Sequence, residues 1–238
     1  MKKKNPLVSF VIRTKNEGKF IGKVLELLQK QTFKDFEIII VDSGSTDKTL
    51  EIVNKYSVKV LKIDPKDFNY SYALNFGIKQ ALGRYICIIS GHSIPITDSW
   101  LEDGVRIMKE DNVAGLSGYW TDFILGYFSR PLGRLAFLLP YFKKRKDFDP
   151  WLTNTNSLIN KKYWQEYNFD EKLEGSEDYD WACEMISRGY NIAKIKSFSV
   201  FHSHFMVGRP GYFASLPIWK KQVAEINKRK GREFKIGT

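Results

Sequence analysis

The stretch Phe36-Glu37-Ile38-Ile39-Ile40-Val41-Asp42-Ser43-Gly44-Ser45-Thr46-Asp47-Lys48-Thr49 decides the fold. Its first half is β-branched and almost continuously apolar, the pattern of a strand covered on both faces. Its second half is a turn of small and acidic residues that can cap a following helix. Upstream, Leu7 to Ile12 is a short apolar run of strand length. Phe20, Ile21, Val24, Leu25 and Leu28 follow at helical spacing, behind a candidate cap at Asn16. Downstream, Val58 to Ile63 reads as a third strand, and roughly Tyr72 to Leu82 as a helix stopped by Gly83. Tyr85-Ile86-Cys87-Ile88-Ile89 reads as a fourth strand. Repeated strand–helix–strand units predict an α/β fold, a mostly parallel sheet with helices on both faces.

The second half is less regular. Its spacing predicts a helix over Ser99–Glu110 and strands at Val113 to about Tyr119 and at Ser157–Asn160. A helix over Glu177–Arg188 and strands at Asn191–Ile195 and Val200–Phe205 complete it, before a basic tail over Ile218–Lys235. No repeat and no linker divides the chain. The expected organisation is one domain over 1–238, with one half at about 1–95, a second at about 96–215 and a tail at 216–238.

The 238 residues suffice to bury a core without disulfides, and 43% apolar with 27% charged residues excludes a disordered chain. No run approaches the ~18 apolar residues of a spanning helix. The start, Met1 to Arg13, mimics a secretory signal for only six apolar-leaning residues and shows no small-residue cleavage site. Cys87 and Cys183 lie in apolar surroundings and read as buried thiols of a reducing cytoplasm. The net charge of +11 calls for an anionic partner, with nucleic acid, anionic lipid and sugar phosphates all eligible. The basic residues are scattered and form no nucleic-acid reader motif, which argues against nucleic acid.

In open α/β sheets ligands bind beyond the carboxyl ends of the strands. Three such ends carry polar clusters: Arg13-Thr14-Lys15-Asn16-Glu17, Asp42-Ser43-Gly44-Ser45 and Ser90-Gly91-His92-Ser93. None fits a dinucleotide-binding or P-loop pattern, which argues against a dehydrogenase or a P-loop kinase.

Val8-Ser9-Phe10-Val11-Ile12-Arg13-Thr14-Lys15-Asn16-Glu17 followed by Ile38 to Thr49 resembles the opening of family 2 glycosyltransferases. Glu174-Gly175-Ser176-Glu177-Asp178-Tyr179-Asp180 is similar to that family's Glu-Asp motif, and the resemblance runs from about residue 7 to 205. It implies the GT-A fold, with a smaller acceptor-side subregion, and an inverting transfer of sugar from a nucleoside diphosphate sugar, uridine- or thymidine-linked. The acceptor would be a hydroxyl of a cell-envelope glycan or a lipid-linked glycan. By position the resemblance puts Thr14, Asn16, Glu17, Asp42 and Asn75 on the nucleotide, and Asn154 and Asn156 on donor sugar or acceptor. A short carboxylate such as Asp42 can accept from a ribose hydroxyl or a base imide.

The family commonly carries Asp-x-Asp after the fourth strand, holding a divalent cation, manganese or magnesium, on the diphosphate. Here that position reads Ser90-Gly91-His92. The chain has three histidines, His92, His202 and His204. A strand through Val200–Phe205 would point His202 and His204 to one face. Together with His92 they are the expected metal ligands, since neutral imidazole suits borderline metals.

Ser176 is a candidate cap for the Glu177–Arg188 helix. Steps of three, four, seven and eight from Asp178 reach Trp181, Ala182, Met185 and Ile186. Asp178 therefore heads the apolar face and is the expected general base, with Glu177 at the boundary beside it as an expected donor or acceptor contact. Residues 123–142 are rich in apolar and aromatic side chains and precede Lys143-Lys144-Arg145-Lys146. This suits either an interfacial segment on an anionic membrane or a core-packed helix pair with a solvated basic turn. The expected location is the cytoplasm, with the inner face of the membrane as a candidate surface. Two other functions stay open: a module that binds nucleotide or glycan without turnover, and a hydrolase with zinc on the three histidines.

Overall fold

A computed structural model describes residues 4–208 and 212–231. Met1 to Lys3 of the signal-like start and Arg232 to Lys235 of the expected tail helix lie outside the described residues.

The first half runs β1 (Val8–Thr14), α1 (Ile21–Gln29), β2 (Phe36–Asp42), α2 (Thr49–Val53), β3 (Lys59–Lys62), α3 (Tyr70–Lys79) and β4 (Tyr85–Ile89). Next come β5 (Ile94–Pro95), α4 (Trp100–Met108), β6 (Val113–Ser117) and β7 (Trp120–Thr121). Short helices α5 (Leu125–Phe128) and α6 (Arg130–Gly133) lead into a 3-10 segment, Arg134–Leu138. The chain continues with β8 (Arg145–Lys146), β9 (Asn156–Asn160), α7 (Lys161–Glu166) and α8 (Glu177–Ser187). It closes with β10 (Asn191–Ile195), β11 (Val200–Phe201) and α9 (Tyr212–Lys230).

An eight-stranded sheet has the order β3-β2-β1-β4-β9-β6-β10-β8. β1 pairs in parallel with β2 and β4, β2 with β3, and β6 with β10. β9 runs antiparallel to both β4 and β6, and β8 is antiparallel to β10. A second sheet, β5-β11-β7, sits apart from the large one. The reversal of β9 matters for function. In a parallel strand the carboxyl end reaches the ligand edge, but β9 brings its amino end there, with Asn156 opposite Ile89.

Side chains alternate across the sheet with period two. Phe10 and Ile12 of β1 face one side, where α1 and α4 supply Val24, Leu25, Leu28, Trp100 and Leu101. Val11 faces the other, against Leu74 and Ile78 of α3 and Trp181 and Met185 of α8. Each fully buried side chain of this size contributes about 1.5–3 kcal/mol. The Trp100 ring stacks on Phe198 with centroids 3.9 Å apart, tying α4 to the segment before β11. Both cysteines are buried and neither is in a disulfide, as their apolar settings predict.

Several expectations change in detail. α3 ends at Lys79, short of the stop expected at Gly83. Asn16 does not cap α1: its residue is left-handed (φ 56°), and its side chain turns to the β2 loop. Ser176 is left-handed as well and gives α8 no side-chain cap. The last strand stops at Phe201, so His202 and His204 lie in the loop beyond it. No helix among the described residues is long and apolar enough to cross a membrane.

Candidate active site

The parallel strands end together. Thr14 lies opposite Asp42 in the β1–β2 register, and the β4 end lies on the far side of β1. The three polar clusters therefore share one edge. Asp42 is buried and accepts from Gly44 and Ser45 backbone N–H groups at 3.0 Å, from Ser45 Oγ at 2.5 Å and from Thr14 Oγ1 at 3.2 Å. It shapes the turn over 43–45 from below. Asn16 Oδ1 accepts from the Thr46 N–H at 2.8 Å and binds the two loops together.

Glu17 meets the third cluster. Its carboxylate lies 3.0 and 3.1 Å from His92 Nδ1, with both side chains almost fully buried. Ser93 Oγ donates its one proton to the Thr155 carbonyl at 3.1 Å. It can then only accept from His202 Nδ1, 3.0 Å away. Both rings thus carry a proton on Nδ1, which in the neutral tautomer leaves the lone pair on Nε2. His92 Nε2 is buried and makes no hydrogen bond. The His92 and His202 rings stack at 4.4 Å, and His204 stands 4.8 Å from His202 and 5.9 Å from His92. One donor atom from each ring falls within 4.8 Å of the others. An orphaned buried imidazole nitrogen, two tautomers fixed from behind and a carboxylate behind one ring fit a divalent metal site.

The acid pair stands across a single turn. The Asn154 N–H donates to Asp178 Oδ2 at 2.9 Å, and Asn154 Nδ2 donates to Glu177 Oε1 at 3.0 Å. The next residue, Thr155, accepts from Ser93 and from the Ser90 N–H at 3.2 Å. Residues 154–155 therefore hold the carboxylates on one side and the histidine cluster on the other. Asp178 Oδ1 accepts from the Tyr179 N–H at 2.8 Å. Withdrawal from water and the neighbouring Glu177 charge push the Asp178 carboxyl up to about 7, against the two backbone N–H donors and the Arg13 charge.

The helical-wheel expectation for the pair is reversed in part. Glu177 is buried, whereas Asp178 is half-buried and keeps an opening to solvent. The difference comes from what surrounds the helix start, where Glu177 is covered by Asn154 while Asp178 lies nearer the open side. That helix is braced from behind by α9. Ser176 Oγ donates to Gln222 Oε1 at 3.1 Å and Tyr179 OH to Asn227 Oδ1 at 3.2 Å, while Lys230 Nζ lies 3.7 Å from Asp180 Oδ2.

Two expected ligands bond within the fold, Asn75 with its whole amide and Asn156 with its Nδ2, while Asn156 Oδ1 is buried without a hydrogen-bond partner. Asn75 Nδ2 donates to the Phe169 carbonyl and to Glu171 Oε1, both at 2.8 Å, and its Oδ1 accepts from Trp164 Nε1 at 3.0 Å. That leaves it a packing role between α3 and the segment after α7. Asn156 Nδ2 donates to the Phe198 carbonyl at 2.6 Å and is fully buried.

Sequence reasoning passed over two cations. Arg13, at the last turn of β1, stacks on the Tyr70 ring at 4.7 Å and acts on the charge of Asp178. Lys194, in β10, donates to the Trp151 carbonyl at 3.0 Å, and burial pushes its ammonium down while Asp149 and Asp178 hold it up. A charged residue inside an otherwise apolar strand was the available signal for both.

The sequence matches the family described as glycosyl transferase family 2 over residues 9–190. It is 28% identical over 205 residues to an uncharacterized glycosyltransferase of Methanocaldococcus jannaschii, covering 81% of this chain and 69% of that one. It is 24% identical over 219 residues to the O-antigen chain rhamnosyltransferase RfbN of Salmonella typhimurium, covering 83% and 66%. Several other curated relatives are matched over only 38% to 40% of their length. Among solved structures, glucosyl-3-phosphoglycerate synthase of Mycobacterium tuberculosis, in complex with Mn2+, UDP and glucosyl-3-phosphoglycerate, superposes with a TM-score of 0.67. That match has 16% identity and covers 96% of this chain and 81% of the other. The eight-stranded sheet with its reversed β9 is the GT-A architecture of such neighbours. This chain belongs to glycosyl transferase family 2.

Proposed function

We propose that this glycosyltransferase moves a sugar from a uridine- or thymidine-linked nucleoside diphosphate sugar to a hydroxyl of a cell-envelope glycan or lipid-linked glycan, with inversion. The observation that carries this reading is the Asn154–Thr155 turn, which fastens a high-pKa carboxylate and a histidine cluster to one sheet edge. The O-antigen rhamnosyltransferase relative and the UDP-bound structural neighbour support the acceptor and donor classes.

In this mechanism Asp178 takes the proton of the acceptor hydroxyl. The oxygen attacks the anomeric carbon from the face opposite the leaving diphosphate. The new C–O bond forms as the old one breaks, and the electron pair leaves on the diphosphate oxygen. The Asn154 and Tyr179 N–H groups hold Asp178 in place, and Glu177 fixes the Asn154 side chain. The backbone of the Asp42 turn and Thr14 line the nucleotide side. Arg13 is suited to the diphosphate, since a guanidinium held over the Tyr70 ring offers its planar fork of donors to phosphate oxygens. His92, His202 and His204 would hold the divalent cation, with Glu17 bracing His92. When bound, such an ion supplies positive charge against the leaving diphosphate. Three imidazoles favour manganese or zinc over magnesium, which prefers oxygen.

The test is a thermal-shift panel of uridine, thymidine, guanosine and cytidine diphosphates, each with manganese and with chelator, followed by transfer assays. Stabilisation by a pyrimidine diphosphate and acceptor-dependent release of nucleotide are expected. Tight nucleotide binding without turnover would leave a binding module, and acceptor-independent hydrolysis with stoichiometric zinc would leave a hydrolase.

The acidic limb of the pH profile checks the base. Asp178 must be ionised to accept a proton, so kcat/KM should rise tenfold per pH unit below about 7 and level off above it. Glu177→Gln removes a like charge that raises the Asp178 pKa. The midpoint of that limb should then move to lower pH. An unmoved midpoint would assign the limb to another group.

A further inference from the structure

The segment between β7 and β8 has two unlike faces. Gly126 and Gly133 press on the Phe201 ring so closely that an added Cβ would lie 2.2 and 2.6 Å from it. Phe137 packs on Phe201 and on Phe142. With that face anchored, Leu125, Phe128, Leu132, Leu135 and Leu138 turn outward at helical spacing. Phe128 is 77% exposed and Leu138 70% exposed. Tyr141, just beyond, is 72% exposed. The alternative of a core-packed helix pair does not describe these side chains. A soluble surface seldom leaves so many large apolar groups together without a partner.

The surrounding charge selects the partner. Residues 122–147 hold six Lys and Arg against two Asp. Arg130 is paired with Asp98, and Arg145 with Glu110 and Asp147. Arg134, Lys143, Lys144 and Lys146 remain around the apolar face, Lys146 only 4.0 Å from Asp149 at its closest. Apolar side chains ringed by basic ones fit the boundary of an anionic bilayer, where acyl chains take the first and phosphate headgroups the second.

We propose that the 125–141 segment inserts its outward apolar side chains into the headgroup region of an anionic membrane, with Arg134, Lys143 and Lys144 on the lipid phosphates. The segment is stitched to the histidine cluster. Tyr127 OH donates to the His92 carbonyl at 2.9 Å and accepts from the Ser203 N–H at 2.7 Å. Docking therefore sets the candidate active site beside the bilayer surface, where an acceptor carried on a lipid would present its hydroxyl.

Flotation of the full chain with vesicles tests this without any sugar donor. The protein should float with phosphatidylcholine vesicles containing phosphatidylglycerol, bind pure phosphatidylcholine at least tenfold more weakly, and lose binding as salt rises. Phe128→Ser with Leu138→Ser, and separately Lys143→Glu with Lys144→Glu, should each weaken binding tenfold or more. Both pairs are remote from the acid pair, so unchanged circular dichroism and nucleotide-dependent thermal shifts serve as controls. Equal binding to both vesicle types, no binding to either, or full binding by either double variant would overturn the proposal. The last two outcomes would give the face to a protein partner. Loss of transfer with vesicle binding intact would instead count against the transferase reading.

Discussion

Asp178→Asn should abolish sugar transfer while leaving donor binding nearly intact. Asparagine keeps the size of the side chain and one oxygen that can accept from the Asn154 or Tyr179 N–H, so the first turn of α8 keeps its place. It cannot take a proton at neutral pH. Loss of a positioned base costs about 10^2–10^4-fold in rate. The fall should appear in kcat, read by nucleotide release in the presence of acceptor, with the donor KM changed little. Slow donor hydrolysis by water should be affected less, because that reaction does not need the acceptor proton removed at the same atom. A variant with full transfer activity would remove Asp178 from the chemistry.

His92→Ala should empty the proposed metal position. One lone-pair nitrogen of three is lost, and the Glu17 carboxylate is left buried without the imidazole it holds. Titration calorimetry with manganese or zinc, in the absence of nucleotide, should show stoichiometric binding to the parent chain and none measurable to the variant. Glu17→Gln is the finer instrument. As a brace behind His92 it should weaken metal binding about 10–100-fold and leave the affinity for free nucleoside unchanged. As the direct nucleotide ligand expected from its sequence position, it should do the opposite. Metal binding unaltered in both variants would dissolve the cluster as a metal site.

The strand positions and the parallel setting of the first half are legible because β2 and β4 are nearly continuous apolar runs, which suit a sheet covered on both faces, and helical patterns separate the strands. The antiparallel setting of β9 is not. Asn156 to Asn160 has the composition of a strand in either direction, and direction is fixed by where the long 118–155 connection returns. The histidine cluster was found by counting, yet the reasoning behind it failed. His202 and His204 converge from a loop rather than from alternate positions of a strand, because β11 ends two residues into its pairing with β5. Asp178 is legible from its place in a motif, whereas its greater exposure than Glu177 is set by the tertiary packing around the start of α8, which no periodicity encodes. Asn75 and Asn156 show how ambiguous an amide is in sequence. An amide that can bind a sugar can equally close a buried gap, and only the packed neighbours decide between the two.

The brace behind α8 bears on how this chain can be cut. Val223 and Ile226 of α9 bury themselves against Leu173, Tyr179 and Cys183, and Gln222, Asn227 and Lys230 reach the same first turns of α8 by polar contacts. A basic, polar-looking tail is the segment an expression design would trim first. Here it is a buttress: a protein shortened before residue 212 would keep every residue named in the chemistry and lose the surface that sets the angle of the helix carrying the base.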